Sequence, residues 1–292
     1  MKSSIEYILC NLCGSSEYTI DEKMTIKILA REPSKVVVCK KCGLGYLNPR
    51  FVEKLTNIYN ENYYKEYLKS SQMTGGSDIL EEYLKKRLHR IESMVKKGKL
   101  LEIGSAFGLF LNYARSRGWE IEGVEVSPWV SEFSKKQYGL KISNASFEDV
   151  SLPDESFDVV HMNHVLEHMY DPMNTLLKTH RILKRGGLLV FEVPNEFGSM
   201  ADLLEDLIWP LRSGKNIVPY TVPSPHLYFF KPKTIRRFLQ QTGFRLVIFR
   251  TTQRGIEYYS RIPSGKYMYW LWYFIEQQLK LGPFYEVFAI KE

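Results

Sequence analysis

Between residues 99 and 138 the sequence alternates apolar runs of two periods. It reads as a strand over 99–103, a helix over about 107–117, a strand over about 120–126 and a helix over about 128–138. That alternation commits the chain to α/β architecture, a mainly parallel sheet with helices on both faces, because parallel neighbours need a crossover that packs back on the sheet. The first helix carries Phe107, Phe110, Leu111 and Ala114 at helical spacing and stops at Gly118; Ser127-Pro128 opens the next one, with serine as cap and proline in the first turn. Ligands of such sheets bind beyond the carboxyl ends of the strands, where the strand order switches. The bend of "KLLEIGSAFGLFLNYA" (99–114) lies at that edge.

The residues of the bend select among nucleotide-like ligands. A dinucleotide fingerprint requires G-x-G-x-x-G around a pyrophosphate. Here Glu102 is followed by Gly104 and then Gly108, the middle glycine is missing, and Glu102 sets a negative charge where a diphosphate would lie. An ammonium group suits that charge, and Glu125 at the end of the second strand suits two ribose hydroxyls. An amino acid joined to a nucleoside, S-adenosylmethionine (SAM), satisfies both carboxylates. Glycine spacing alone also fits a purely steric demand of the turn.

All four cysteines fall in the first 42 residues, as Cys10-x-x-Cys13-Gly and Cys39-x-x-Cys42-Gly. Two such knuckles supply four thiolates for one tetrahedral ion, which suits structural zinc and leaves no open position for catalysis. Disulfides fit poorly, because "MKSSIEYILCNLCG" shows no export signal. The reading places the chain in the cytoplasm. The longest aromatic run, residues 267–275, has nine residues against the roughly 20 of a spanning helix. Its aromatic face is expected to pack over the sheet, with peripheral membrane contact as the alternative. A formal net charge of +7 is spread along the chain, so no nucleic-acid partner is expected.

Downstream, "LPDESFDVVHMNHVLEHMYDP" (152–172) and "ILKRGGLLVFEVPN" (182–195) resemble the fourth- and fifth-strand region of class I SAM-dependent methyltransferases, and "HLYFFKPKTIRRFLQQTGF" (226–244) is similar to the next segment of small-molecule members, the ubiquinone-biosynthesis O-methyltransferases among them. Relatives with cysteine knuckles methylate nucleotide-linked sugars and surface-polysaccharide precursors. The resemblance implies a Rossmann-like class I methyltransferase fold with a seven-stranded, mainly parallel sheet and a small N-terminal zinc ribbon. It also implies cofactor contacts at Glu102, Gly104, Gly108 and Glu125, an adenine site at Ser146, Phe147 and Glu148, and Asn163 facing the sulfonium. An E-x-x-E-H form of the fourth-strand turn goes with a divalent cation in the ubiquinone-pathway relatives. Here His164 stands in the first glutamate's place, which argues against a second metal.

Methyl transfer from SAM is an in-line displacement, so the protein must align the acceptor, exclude water and take up a proton. Histidine suits the last task, and the candidates are His164, His168 and His226. A helical turn would put His164, Glu167 and His168 on one face. Pro225 stands where certain sugar C-methyltransferases carry an acid, which leaves oxygen as the better acceptor.

The expected organisation is a zinc module over 1–50, a helical connector over 51–98 broken by "SSQMTGGSD", and a SAM domain over 99–292 with a lid insertion at 196–225. The expected activity is O-methylation of a small molecule, a sugar, sugar nucleotide or polysaccharide precursor. The alternatives are an RNA base methyltransferase and a silent scaffold.

Overall fold

The structure, a computed structural model, describes residues 4–28, 30–53, 55–73, 76–199, 203, 226–252, 274–276, 278–279 and 281–292, with residues 67, 70–73 and 76–79 described by backbone alone. A seven-stranded sheet forms its centre. In chain order its strands are β6 (Lys99–Ile103), β7 (Glu120–Glu125), β8 (Ile142–Asn144), β9 (Phe157–Asn163), β10 (Leu183–Pro194), β12 (Phe244–Thr252) and β13 (Phe284–Lys291). Their spatial order is β12-β13-β10-β9-β6-β7-β8. Pairs among β6 to β10 are parallel, and β13 runs antiparallel to both neighbours. The order reverses between β6 and β9, so the bend after β6 and the turn after β9 share the switch point at the carboxyl edge. This is the expected mainly parallel Rossmann-like sheet.

Period-two alternation divides each central strand between two cores. Leu101, Ile103, Val160, Met162, Leu189 and Phe191 face one cluster, with α7 (Pro172–Ile182) and α8 (Pro232–Gln241). Leu100, Val159, Leu188 and Val190 face the other, beneath α4 (Gly76–Met94) and α5 (Leu109–Ser116). The same parity puts Glu102 behind Leu100, His161 behind Val159 and Glu192 behind Val190. Three polar side chains thus enter the helix-covered face next to the carboxyl edge.

The amino-terminal region is a separate small sheet. Strands β2 (Tyr18–Ile20), β3 (Lys35–Cys39) and β4 (Gly45–Asn48) continue into β11 (Tyr228–Phe229), in the order β11-β4-β3-β2. A second pair joins β1 (Ser4–Glu6) to β5 (Arg50–Val52), and α1 (Glu22–Lys27) packs beside β3. Helices α2 (Leu55–Ile58) and α3 (Glu61–Met73) lead to α4, and α6 (Pro128–Tyr138) follows β7.

Some local expectations change. Most of the predicted break after residue 69 is helical, since α3 runs to Met73 and α4 begins at Gly76. Ser127 occupies the cap position of α6 but makes no side-chain cap bond; its amide instead donates to Glu125. The turn holding Glu167 and His168 is a short 3-10 turn, Leu166–His168, entered through His164 at φ +55°. Residues 200–202 and 204–225 of the predicted lid at 196–225, and most of the aromatic segment at 267–275, lie outside the described residues. No helix among the described residues is long and apolar enough to cross a membrane.

Candidate active site

The bend after β6 is built on left-handed backbone. Gly104 has φ +70° and Gly108 has φ +74°. A Cβ on Gly104 would sit 2.5 Å from Val165 Cγ2, and one on Gly108 would sit 2.4 Å from Leu140 Cδ1. Both glycines are therefore required by backbone geometry and by close packing within the protein. Between them Ala106, at φ +45°, directs its amide to Glu125 Oε2 at 2.9 Å. The other carboxylate oxygen of Glu125 accepts from the Ser127 amide at 2.8 Å and, at 3.4 Å, from the hydroxyl of Tyr64 on α3. Burial raises the Glu125 pKa, partly opposed by these amides. A carboxylate has about four acceptor directions, so these three donors leave about one for a ribose hydroxyl, and a second hydroxyl would replace the long Tyr64 contact.

Glu102 is buried at the end of β6. Its Oε1 lies 3.0 Å from His161 Nδ1, while its Oε2 has no hydrogen-bond partner among the described residues. Burial pushes its carboxyl well above the ordinary range. An orphaned buried carboxylate oxygen beside the bend fits the ammonium of the ligand inferred above.

The polar row behind Glu102 is bound by Arg87 of α4, a fully buried guanidinium. It donates to Glu286 Oε1 at 2.7 Å, Glu192 Oε2 at 2.6 Å, Asn163 Oδ1 at 2.7 Å and the Tyr83 hydroxyl at 2.6 Å. Its Nη1 also lies 3.3 Å from His161 Nε2. Arginine only donates, so His161 Nε2 accepts, and the ring proton sits on Nδ1, facing Glu102. Burial, helped by the Arg87 charge, lowers the His161 pKa well below its ordinary value and keeps the ring neutral. Asn163, at the end of β9, is thus held from the α4 side. Sequence reasoning did not single out Arg87 or His161. The one available signal was an arginine on the apolar stripe of Leu84, Leu88 and Ile91.

Across the switch point, Glu167 is fully buried among three histidines. Its Oε1 lies 3.2 Å from His164 Nδ1, 3.8 Å from His168 Nε2 and 3.9 Å from His226 Nε2. Burial alone would raise its pKa, but the His164 hydrogen bond and the three imidazole charges outweigh it and hold the carboxyl below its ordinary value. His226 Nδ1 lies 2.7 Å from Glu196 Oε1. Burial would lower the His226 pKa; the Glu196 carboxylate overcomes that and raises it. Glu196 was not predicted as a site residue. Its only sequence signal is its position just beyond the carboxyl end of β10. The donor atoms of Glu167, His168 and His226 lie within 4.8 Å of one another, close enough to share a proton or a cation.

Phe147 and Ser146 follow β8. The Phe147 ring lies in the main core under Lys178, and the Ser146 hydroxyl donates to Glu148 Oε2 at 2.5 Å. From α2–α3, the Tyr59 ring meets His168 edge-on at 5.8 Å and Tyr64 packs on Phe107 and Trp129, so the 51–98 region roofs both sides of the crevice.

At the far end of the ribbon the four cysteine Sγ atoms converge, all within 4.8 Å of one another, with Cys10–Cys42 at 3.4 Å and Cys13–Cys39 at 3.5 Å. Those separations are too long for disulfide bonds and lie near the roughly 3.8 Å edge of a tetrahedron with 2.3 Å zinc–sulfur bonds. Gly14 and Gly43, at φ +68° and +82°, close the two knuckles. The four sulfurs fit a zinc site.

The sheet order and the glycine bend at the switch point are those of the class I methyltransferase fold. A family model described as a methyltransferase domain matches residues 78–248, and the chain belongs to that family. Among curated relatives it is 34% identical over 102 residues to the ubiquinone biosynthesis O-methyltransferase of Cereibacter sphaeroides, covering 33% of this chain and 41% of that protein. It is 28% identical over 130 residues to an uncharacterized protein of Methanocaldococcus jannaschii, covering 44% of this chain and 60% of that one. The matches thus span less than two thirds of either relative. Solved SAM-dependent methyltransferases share the fold: that of Archaeoglobus fulgidus has TM-score 0.55 at 22% identity, covering 77% of this chain and 99% of that chain. That of Thermotoga maritima has TM-score 0.54 at 20% identity, covering 82% and 100%. The chain thus carries a methyltransferase domain on the fold of solved SAM-dependent methyltransferases.

Proposed function

We propose that this enzyme methylates a hydroxyl of a small molecule, a sugar, a sugar nucleotide or a surface-polysaccharide precursor, and that its four cysteines hold a structural zinc ion. The observation that carries the proposal is the His226–Glu196 pair, set beside Glu167 across the switch point from Glu102 and Glu125. Bound SAM supplies an activated methyl group. Glu125 holds the ribose hydroxyls and the free oxygen of Glu102 receives the ammonium, with His161 and Arg87 fixing the Glu102 carboxylate. Glu196 accepts from His226 Nδ1, which leaves the lone pair on Nε2, 3.9 Å from Glu167 Oε1. That nitrogen takes the proton of the acceptor hydroxyl, and Glu167 stabilises the imidazolium that forms.

The Glu196 contact on His226 Nδ1 leaves Nε2 for a proton or a cation alike, and proton transfer is preferred because His164 stands in the place of the first glutamate of the cation-binding turn. The O-methyltransferase name of the Cereibacter relative supports oxygen as the acceptor atom. The sugar class rests on the resemblance of the knuckled N-terminus. The 1–50 and 51–98 divisions serve, on this reading, as ribbon and roof of one catalytic unit. Incubation with SAM and a panel of nucleotide sugars, free sugars and phenols, read by mass spectrometry, tests the proposal. Gain of one methylene unit on a sugar hydroxyl is expected. Methylation confined to phenols would overturn the sugar assignment, and methylated RNA bases would overturn the small-molecule reading.

A further inference from the structure

The segment that carries His226 runs directly into a strand of the cysteine ribbon's sheet. β11 begins two residues after His226 and pairs antiparallel with β4, Tyr228 opposite Tyr46 and Phe229 opposite Gly45. Leu227, between His226 and that strand, is bonded on both sides. Its amide donates to the Glu167 carbonyl at 2.8 Å, and its carbonyl accepts from the Leu47 amide at 3.0 Å. One peptide segment thus joins the buried acid of the acceptor cluster to the ribbon.

Each knuckle has its own route to this segment. The second knuckle is the turn of the β3–β4 hairpin: β3 ends at Cys39, the Cys39 amide donates to the Leu44 carbonyl at 2.9 Å, and β4 starts at Gly45. The geometry of Cys39 and Cys42 therefore sets where β4 presents Leu47. The first knuckle carries Asn11, which donates to Asp171 Oδ1 at 2.8 Å and accepts from the Met173 amide at 2.9 Å, gripping the start of α7 just after the Glu167 turn. Arg50, at the base of the ribbon, donates to the Tyr170 carbonyl at 2.7 Å and lies 3.2 Å from the Tyr228 hydroxyl, which itself donates to the same carbonyl at 3.0 Å. Cys10, Leu12, Cys42 and Tyr46 share a core cluster with Leu166, Met169 and Tyr228. The hydrogen bonds of Glu102 and Glu125 described above all come from outside the ribbon.

We propose that the metal-held ribbon is the positioning element of the acceptor half-site. Closed around its ion, it adds a strand to the segment bearing His226 and so fixes that ring against Glu167 and Glu196, while the cofactor half-site stands independently of it. The inference rests on the zinc reading above. Its physical basis is that a two-residue strand such as β11 has too few bonds to persist without the partner edge supplied by β4. Without a metal, the four-sulfur turn loses the bonds that shape it.

The test uses the full-length, zinc-loaded protein before and after stripping with a mercurial and a chelator. Bound zinc, amide hydrogen exchange and SAM affinity by calorimetry are measured together. Metal removal should speed exchange at Leu227 to Phe230 by about tenfold or more, leave exchange at Lys99 to Ile103 unchanged, and keep the SAM dissociation constant within about threefold. Unchanged exchange at Leu227 to Phe230 would overturn the inference while the zinc reading stands. Loss of SAM binding together with faster exchange everywhere would also overturn it, because the ribbon would then hold the whole fold. Protein that carries no zinc and takes none up would end both readings.

Asn11→Ala supplies a second arm that leaves all four cysteines in place. Zinc content and SAM affinity should persist while exchange at Leu227 to Phe230 rises and the His226 ring resonances move. Static resonances and unchanged exchange would remove Asn11 from the positioning role.

Discussion

The two sides of the crevice are built in different ways. On the cofactor side, Glu102 and Glu125 end adjacent parallel strands, and the backbone amides of Ala106 and Ser127, within a few residues of those ends, aim Glu125. On the acceptor side, Glu167, Glu196 and His226 come from three separate segments, and ribbon residues Asn11, Leu47 and Arg50 tie down the chain around them. The first side depends on local backbone geometry, whereas the second depends on long-range packing. A cofactor site made in this way is a fixed product of the fold, while an acceptor site assembled from distant segments can change with any one of them. Arg87 spans the division: it reaches His161 behind Glu102 and Glu192 behind the His164 turn.

Perturbations of decreasing size separate the two sides. Arg87→Ala removes the buried guanidinium that joins Glu192 to Glu286, leaving Glu286 to Arg90 and Arg250 and Glu192 to His164 and Thr252, and is expected to cost about 3 kcal/mol in urea unfolding, the largest effect of the set. A loss below about 1 kcal/mol would mean that the remaining partners of Glu192 and Glu286 compensate for the lost guanidinium. Glu125→Gln removes the charge proposed to receive the ribose hydroxyls. SAM affinity should fall about 10- to 100-fold by calorimetry, while zinc content and the His226 titration stay unchanged. Equal affinity in the variant would break the assignment of the cofactor side.

Gly104→Ala forces a side chain into left-handed backbone, at about 1–2 kcal/mol. It also presses on Val165, just before the Glu167 turn, so thermal unfolding should show the loss and the His164 resonances should shift. Glu196→Gln is the mildest change. The His226 ring should titrate lower by NMR than in the parent, with SAM affinity preserved. The sign for stability follows from the raised His226 value. Protonated His226 stabilises the fold fully below its unfolded value of about 6.5, and that contribution disappears as pH rises through the folded value. The variant should therefore be less stable than the parent at mildly acidic pH and equal to it at alkaline pH. An unmoved His226 titration would show that Glu196 does not tune it.

Residues 99–138 were legible because their pattern is local: two strands, two helices, Gly104, Gly108 and a carboxylate at each strand end. The cysteine pairs were legible for the same reason, since both ligands of a knuckle sit two residues apart. Glu196 was not, because its partner His226 lies thirty residues on and nothing in "PNEFGS" marks the pairing. Arg87 was passed over because α4 reads as an amphipathic helix, and only the parity of β6, β9 and β10 shows that a polar row awaits it. The ribbon's grip on β11 was equally hidden, as "HLYFF" is too short and apolar to reveal which edge it joins.

The central claim is that one crevice at the switch point holds the nucleoside on Glu125 and turns its sulfur toward His226. A crystal structure of the full chain with S-adenosylhomocysteine tests this directly. The account predicts both ribose hydroxyls on the Glu125 carboxylate, the amino group at Glu102 Oε2, and the sulfur facing the His226–Glu167 side. A nucleoside bound elsewhere, or one whose sulfur points away from that cluster, would contradict it.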